Sequence, residues 1–174
     1  MKTMYKLTLV VFLIFVGTTV QAQYYKSAVG LRFGVPTSIS FKTMLGEKNG
    51  IEVNLGTRGN TTATIFGNGG WRYVSATAAY LIHEDLEIDD FEGLRWYYGG
   101  GGGIAFYTYD DDFLRDNFNS TSIIVQAFLG LEYTFPDTPV SITTDWAPTI
   151  LIGDFNDGFR YGYGAVGIRY VMSR

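Results

Sequence analysis

The sequence predicts an all-β protein, an eight-stranded antiparallel up-and-down transmembrane β-barrel, and three observations carry that expectation. Beyond residue 22 the apolar residues recur at every second position along eight segments, the period of a strand. The alternate positions hold Gly, Ser, Thr and Ala with about one charge per segment, where a soluble barrel would carry Lys and Glu. A short apolar run behind two lysines opens the chain, as in secreted proteins.

Composition narrows the classes further. The 174 residues are 47% hydrophobic, 17% aromatic and 17% charged, against about a quarter charged in soluble domains. Without cysteine there is no disulfide framework, thiol nucleophile or Cys-ligated metal, and one histidine, His83, excludes a multi-His centre. A net charge of -4 lacks the basic stripe that nucleic acid requires, so no nucleic-acid partner is expected.

Lys2 and Lys6 precede the apolar run 7–16, and Gly17-Thr18-Thr19-Val20-Gln21-Ala22 supplies small residues where signal peptidase cuts. Residues 1–22 are expected to be a signal peptide and 23–174 the barrel domain. The run is too short for a spanning helix, which needs about 20 residues. Cleavage leaves 152 residues (174 − 22) and a net charge of -6. No later segment is a spanning helix, so a mature chain in a membrane must close a barrel that satisfies its backbone internally.

The strands follow in order. Residues 28–34 alternate Val29, Leu31 and Phe33 with Arg32, and after Pro36 residues 38–43 set Ile39 and Phe41 against Lys42. The turn Gly46-Glu47-Lys48-Asn49-Gly50 leads to 51–56, where Val53 and Leu55 oppose Glu52. Residues 58–70 are read as a polar loop, 71–82 as the fourth strand with Val74, Tyr80 and Ile82 on one face, and 83–93 as an acid-rich turn. The fifth strand, 94–107, puts Trp96, Tyr98 and Phe106 opposite Arg95 and Tyr97 around Gly99-Gly100-Gly101-Gly102-Gly103. Residues 122–133, 140–146 and 164–170 complete the eight, with Glu132, Asp145 and Arg169 on the sparse face and 150–160 a loop. At 152/8 = 19 residues per strand and connection, the spacing suits an up-and-down barrel.

The sparse face suits a narrow lumen, and the seven charges Arg32, Lys42, Glu52, Arg95, Glu132, Asp145 and Arg169 are expected to pair there as a plug. Eight strands leave room only for side chains, where an unpaired charge is costly. The other face is expected to meet lipid. With the N-terminus periplasmic, Tyr80, Trp96, Tyr98, Tyr133 and Tyr170 fall near the inner edge, and Trp146, with Phe33, Phe41 and Phe106, near the outer one. Together they form two interfacial girdles. Short turns after even-numbered strands and longer loops after odd-numbered ones fit this orientation. The minimal connection Val35-Pro36-Thr37 is the exception.

Taken together, Gly93-Leu94-Arg95-Trp96-Tyr97-Tyr98 with the glycines that follow, Gly130-Leu131-Glu132-Tyr133, Thr144-Asp145-Trp146-Ala147-Pro148 and residues 164–170 resemble the small eight-stranded outer-membrane barrel proteins of Bacteroidota. These are similar in architecture to the OmpA transmembrane domain and to OmpX. The resemblance implies an outer-membrane location and no particular activity. The chain departs from the pattern in ending Tyr170-Val171-Met172-Ser173-Arg174 rather than on an aromatic residue.

The functional expectation is an integral outer-membrane barrel with no catalytic role and no cofactor, in contact with outer-membrane lipid and lipopolysaccharide, with outer loops open to a protein partner. A soluble lipocalin-like barrel holding an apolar ligand is the alternative. An outer-membrane lipid-modifying enzyme is a second one, and its general base would be His83, which the sequence places at a periplasmic turn. Asp110-Asp111-Asp112 with Asp116, and Asp154 with Asp157, are candidate Ca²⁺ or lipopolysaccharide-bridging groups, though solvated loop tips look the same. Asn60-Thr61-Thr62 and Asn119-Ser120-Thr121 match glycosylation triplets. Phe66 and Phe113 are loop aromatics able to meet a partner or pack on the rim.

Overall fold

The computed structural model describes residues 25–64, 67–86, 88, 93–109, 121–153 and 157–173. The expected leader, the Asp110–Asp112 run, Asp116, Asp154, Phe66 and Phe113 lie outside the described residues.

Ten strand segments form one antiparallel ring: β1(Ser27–Val35), β2(Thr37–Met44), β3(Asn49–Thr64), β4(Gly67–Asp85), β5(Leu94–Tyr109), β6(Thr121–Thr134), β7(Val140–Trp146), β8(Thr149–Ile152), β9(Gly158–Arg160) and β10(Gly164–Ser173). β7 and β8 both pair with β6 and occupy one barrel position. β9 and β10, paired to β8 and β7, occupy another, so the barrel has eight positions and closes through β5–β6 and β1–β10. Among the described residues there is no helix.

The register fixes the barrel's shape. From Leu31 the partners one way round are Ile39, Leu55, Ala76, Ile104 and Ile123, and the other way Ile168, Ile142 and Tyr133. The two routes meet on β6 displaced by ten residues (133 − 123). A stagger of that size over eight strands corresponds to a tilt of about 40°, at about 3.3 Å per residue and about 4.8 Å between strands.

The two broken barrel positions have a local cause. Pro148 has no N–H to give a ladder, so β7 ends at Trp146 and β8 resumes at Thr149. The neighbouring break at 161–163 sits alongside, and the backbone is still satisfied: Ala147 N–H donates to the Tyr163 carbonyl (2.9 Å) and Ala127 N–H to the Pro148 carbonyl (3.0 Å).

Three boundaries differ from the sequence reading. Of residues 58–70, expected to be a loop, 58–64 and 67–70 continue the β3–β4 ladder from Arg58↔Tyr73 to Thr64↔Gly67, because backbone pairing needs no apolar face to mark it. His83, expected in a turn, pairs with Tyr97 inside the ladder. Residues 150–160, expected to be a loop, supply β8 and β9.

Polarity across the wall is inverted relative to a soluble protein. Inward positions include Arg32, Ser38, Ser40, Lys42, Glu52, Asn54, Ser75, Glu132, Ser141, Thr143 and Arg169, all buried. Outward positions include Leu31, Phe33, Ile39, Leu55, Val74, Ile104, Ile123, Leu129, Ile142, Ile150, Val166 and Ile168, all exposed. An apolar belt around the whole circumference is far larger than the few hundred Å² that soluble monomers leave bare.

Candidate functional site

The barrel axis carries an ionic cluster built by strand parity. Arg32 on β1 donates through Nη1 to Glu52 Oε1 (2.6 Å) and through Nη2 to Asp145 Oδ1 (2.8 Å). Arg169 on β10 donates through Nη2 to the same Glu52 oxygen (2.8 Å) and through Nε to Ser40 Oγ (3.1 Å), and its Nη1 lies 3.5 Å from Glu132 Oε1. Lys42 Nζ donates to Glu132 Oε2 (2.8 Å) and sits 4.8 Å from the Tyr97 ring centroid. Tyr25 and Ser141 hydroxyls donate to Glu132 Oε1, and the Tyr97 hydroxyl to Asp145 Oδ2. Three bases meet three acids, so the cluster is neutral. Charged groups buried this deeply are held only by partners of this kind.

Six of the seven sequence-nominated charges thus come together, and Arg95 does not. It lies at the end that carries the chain termini, with Nε 3.0 Å from Asp85 Oδ1 and Nη2 donating to the Glu47 carbonyl (2.5 Å). It faces inward at the start of β5, in register with Asp85 on β4 and Glu132 on β6, and its ion pair is with Asp85. His83, read as a turn residue, is fully buried there, with Nδ1 3.1 Å from the Lys48 carbonyl and Nε2 3.6 Å from Glu132 Oε2. Tyr25 and His83 are members that the sequence reading missed. Their signal was present only as inward parity carried past the expected strand ends. In the adjacent turn, a hydrogen bond from exposed Lys48 to Glu84 (2.6 Å) raises the ammonium pKa above its ordinary value.

The nominated girdle residues divide by position. Trp96 and Tyr98 stack at 5.2 Å near the start of β5, Tyr133 meets Phe135 edge-on at 4.8 Å, and Tyr170 pairs with Val29 and Val140, all toward the terminal end. Tyr80 lies five residues before the end of β4, paired with Ile51 near the start of β3 and with Gly100 further along β5. Trp146 was expected at the outer edge, but β8 continues its barrel position beyond it and places it midway. Its indole N–H donates to the Tyr161 carbonyl (2.6 Å), so a polar group on the apolar face is satisfied.

The glycine run lies within β5. On the inward parity of β5, a side chain at Gly101 would strike the Ala78 carbonyl and Ala79 Cα on β4, so these glycines let two strongly coiled strands approach. Gly130 makes room for Tyr97: an added Cβ would stand 2.6 Å from Tyr97 Cζ. Beyond the ionic cluster, a void of about 30 Å³ bordered by Arg32, Asn54, Ser75 and Gln126 has room for about one water. Above it Tyr73, Tyr107, Ile124 and Leu151 fill the lumen, with Trp71 stacked on Tyr73 at 6.0 Å.

A cleft of about 330 Å³ opens at the end opposite the termini, lined by Val35, Arg58, Trp71, Phe159, Arg160, Tyr161, Gly162 and Tyr163. Arg58 Nη1 donates to the Tyr163 hydroxyl (2.8 Å), and its guanidinium lies 5.2 Å from the Tyr163 ring centroid and 5.7 Å from that of Trp71. None of these residues was nominated from the sequence.

No protein-family model and no curated protein matches the chain. Among solved structures the chain is similar to Ail, the attachment invasion locus protein of Yersinia pestis, solved in complex with the heparin analogue sucrose octasulfate. That likeness is 14% identity over 83% of this chain and 92% of the other, with a TM-score of 0.44.

Proposed function

We propose that the protein is an integral outer-membrane β-barrel without catalytic activity, with a lumen closed by its own side chains and a role in surface structure or surface interaction. One observation carries this reading: the circumference is apolar and exposed while the axis is ionic and buried. An apolar exterior needs a hydrocarbon solvent, and a closed barrel is the only sheet that can enter one with its backbone satisfied. Leucine, isoleucine and valine on the outward face supply the belt, with Trp96, Tyr98, Tyr133 and Tyr170 toward one end and Phe106, Phe159 and Tyr161 toward the other. A lipocalin-like function would require an apolar cavity along the axis, where this chain holds Arg169, Lys42, Glu52 and Glu132.

The same cluster argues for a closed lumen, since each of the six charges is bonded to an opposite charge across the axis. The lipid-modifying reading loses its base, because His83 is enclosed beside Glu132 and Tyr97 at the terminal end. The expected signal peptide at residues 1–22 belongs to this proposal, delivering the chain to the periplasm with outer-membrane lipid and lipopolysaccharide as its surroundings. The test joins two measurements on the full-length gene product expressed in a Gram-negative host. It is expected to fractionate with outer membranes, release only in detergent and migrate differently on unboiled gels. In planar bilayers it is expected to give no stable ohmic steps. Recovery as a soluble monomer would overturn the membrane reading, and large regular steps would overturn the closed lumen.

A further inference from the structure

The shortest connection in the chain makes the barrel rim uneven. β1 and β2 stop at Val35 and Thr37 on either side of Pro36, whereas β3, opposite Thr37 at Thr57, continues to Thr64 in partnership with β4 alone. On the other flank β9 pairs with β8 and has no β1 neighbour, because the last β1–β10 pair is Val35↔Gly164. Between β3 and β9 the wall therefore lacks the height of two strands, and the 330 Å³ cleft occupies that notch. Its volume lies near the lower end of ligand pockets, about 300–1,000 Å³.

The walls of the notch combine two chemistries. Phe159 and Tyr161, 58% and 76% exposed, continue the outward apolar face. Arg58 and Tyr163 come from the inward face. Among the described residues Arg58 has no carboxylate partner: its contacts are the Tyr163 hydroxyl and the two aromatic rings. A guanidinium has five N–H donors in a planar fork suited to phosphate, and only one bond to a neutral group is made here. The rings hold the cation in place without neutralising it.

We propose that this notch binds the phosphorylated headgroup of an outer-leaflet amphiphile, with Arg58 receiving the phosphate and Phe159 and Tyr161 flanking the first carbons of the chain. The inference rests on the membrane placement proposed above, which sets this end of the barrel at the outer interface. A headgroup entering sideways through the step keeps its acyl portion in hydrocarbon. The cleft is larger than a carboxylate needs and accommodates a phosphate with its ester linkage.

The test uses the full chain folded in dodecyl maltoside micelles, whose headgroup carries no phosphate, with dodecyl phosphate as the probe and binding read by native mass spectrometry. Wild type is expected to bind one dodecyl phosphate per chain, and Arg58→Gln at least about tenfold more weakly, the size of one charge-assisted bond. Arg58→Lys should fall between them. Arg72→Gln, exposed on the same hairpin but outside the cleft, should match wild type. Unboiled-gel migration verifies that every variant is folded. Equal binding by Arg58→Gln, or an equal loss in Arg72→Gln, would overturn the site. Dodecanoate binding as tightly would overturn the phosphate assignment, and inorganic phosphate binding as tightly would overturn the amphiphile. A wild-type chain that folds without the micelle and stays soluble overturns the membrane placement, a failure visible before any ligand is added.

Discussion

Replacing Glu52 with glutamine tests whether the barrel axis is dry. The carboxylate is 1% exposed and accepts from Arg32 at 2.6 Å and from Arg169 at 2.8 Å, so the substitution keeps the volume but removes the anion that both guanidiniums share. Arg32 retains Asp145, and Arg169 retains Ser40 and a longer contact to Glu132, but the cluster changes from neutral to a net charge of about +1. Breaking a buried pair from one side costs about 3–5 kcal/mol, against about 0–1 kcal/mol for a pair in water. At a denaturant slope of about 2 kcal/mol per molar, the urea midpoint should fall by about 2 M. The assay is reversible unfolding in phospholipid vesicles, followed by the unboiled-gel shift. The double variant Glu52→Gln with Arg169→Met, neutral again, should be less destabilised than the sum of its parts. A loss below about 1 kcal/mol for Glu52→Gln would mean that water solvates the axis, and the closed-lumen argument would fail.

Two further substitutions probe the wall. Leu129→Arg, on the outward face midway along β6 and 49% exposed, should cost about 2–4 kcal/mol in the same vesicle assay, whereas Tyr161→Arg at the rim should cost about 0–1 kcal/mol. Equal costs would remove the depth dependence that a lipid belt requires. Gly130→Ala places a methyl carbon 2.6 Å from Tyr97 Cζ and 2.8 Å from Asp145 Cβ, and overpacking of that kind costs about 1–3 kcal/mol. It should lower the folded yield, and a wild-type yield would show that the Tyr97 ring has room to move.

Alternation of side chains determined more than secondary structure. Because successive side chains of a strand point to opposite faces, the order of Val29, Leu31 and Phe33 against Arg32, repeated seven more times, already separated the exterior from the axis and placed Arg32, Lys42, Glu52, Glu132, Asp145 and Arg169 on one surface. Segment ends were less legible. At residues 58–64, and at His83, the apolar partner face ends while the ladder continues, since backbone hydrogen bonds need no particular side chain.

Which heights meet across the lumen was not legible, because that depends on the ten-residue stagger accumulated around the ring rather than on any single strand. That stagger lets Arg169 reach Glu52, three strands away along the β10–β1–β2–β3 arc, whereas Arg95 pairs with its register neighbour Asp85. It also leaves Trp146 in mid-wall, with β8 continuing past it. The cleft is the furthest removed from sequence pattern: Arg58, Trp71, Phe159 and Tyr163 come from three strands and a break, and they meet because Pro36 ends two strands early. The chain's local chemistry settled which residues face inward, since that is a property of each strand alone. Which of them touch was decided only by closure, since a contact across the lumen depends on the register of every strand in the ring.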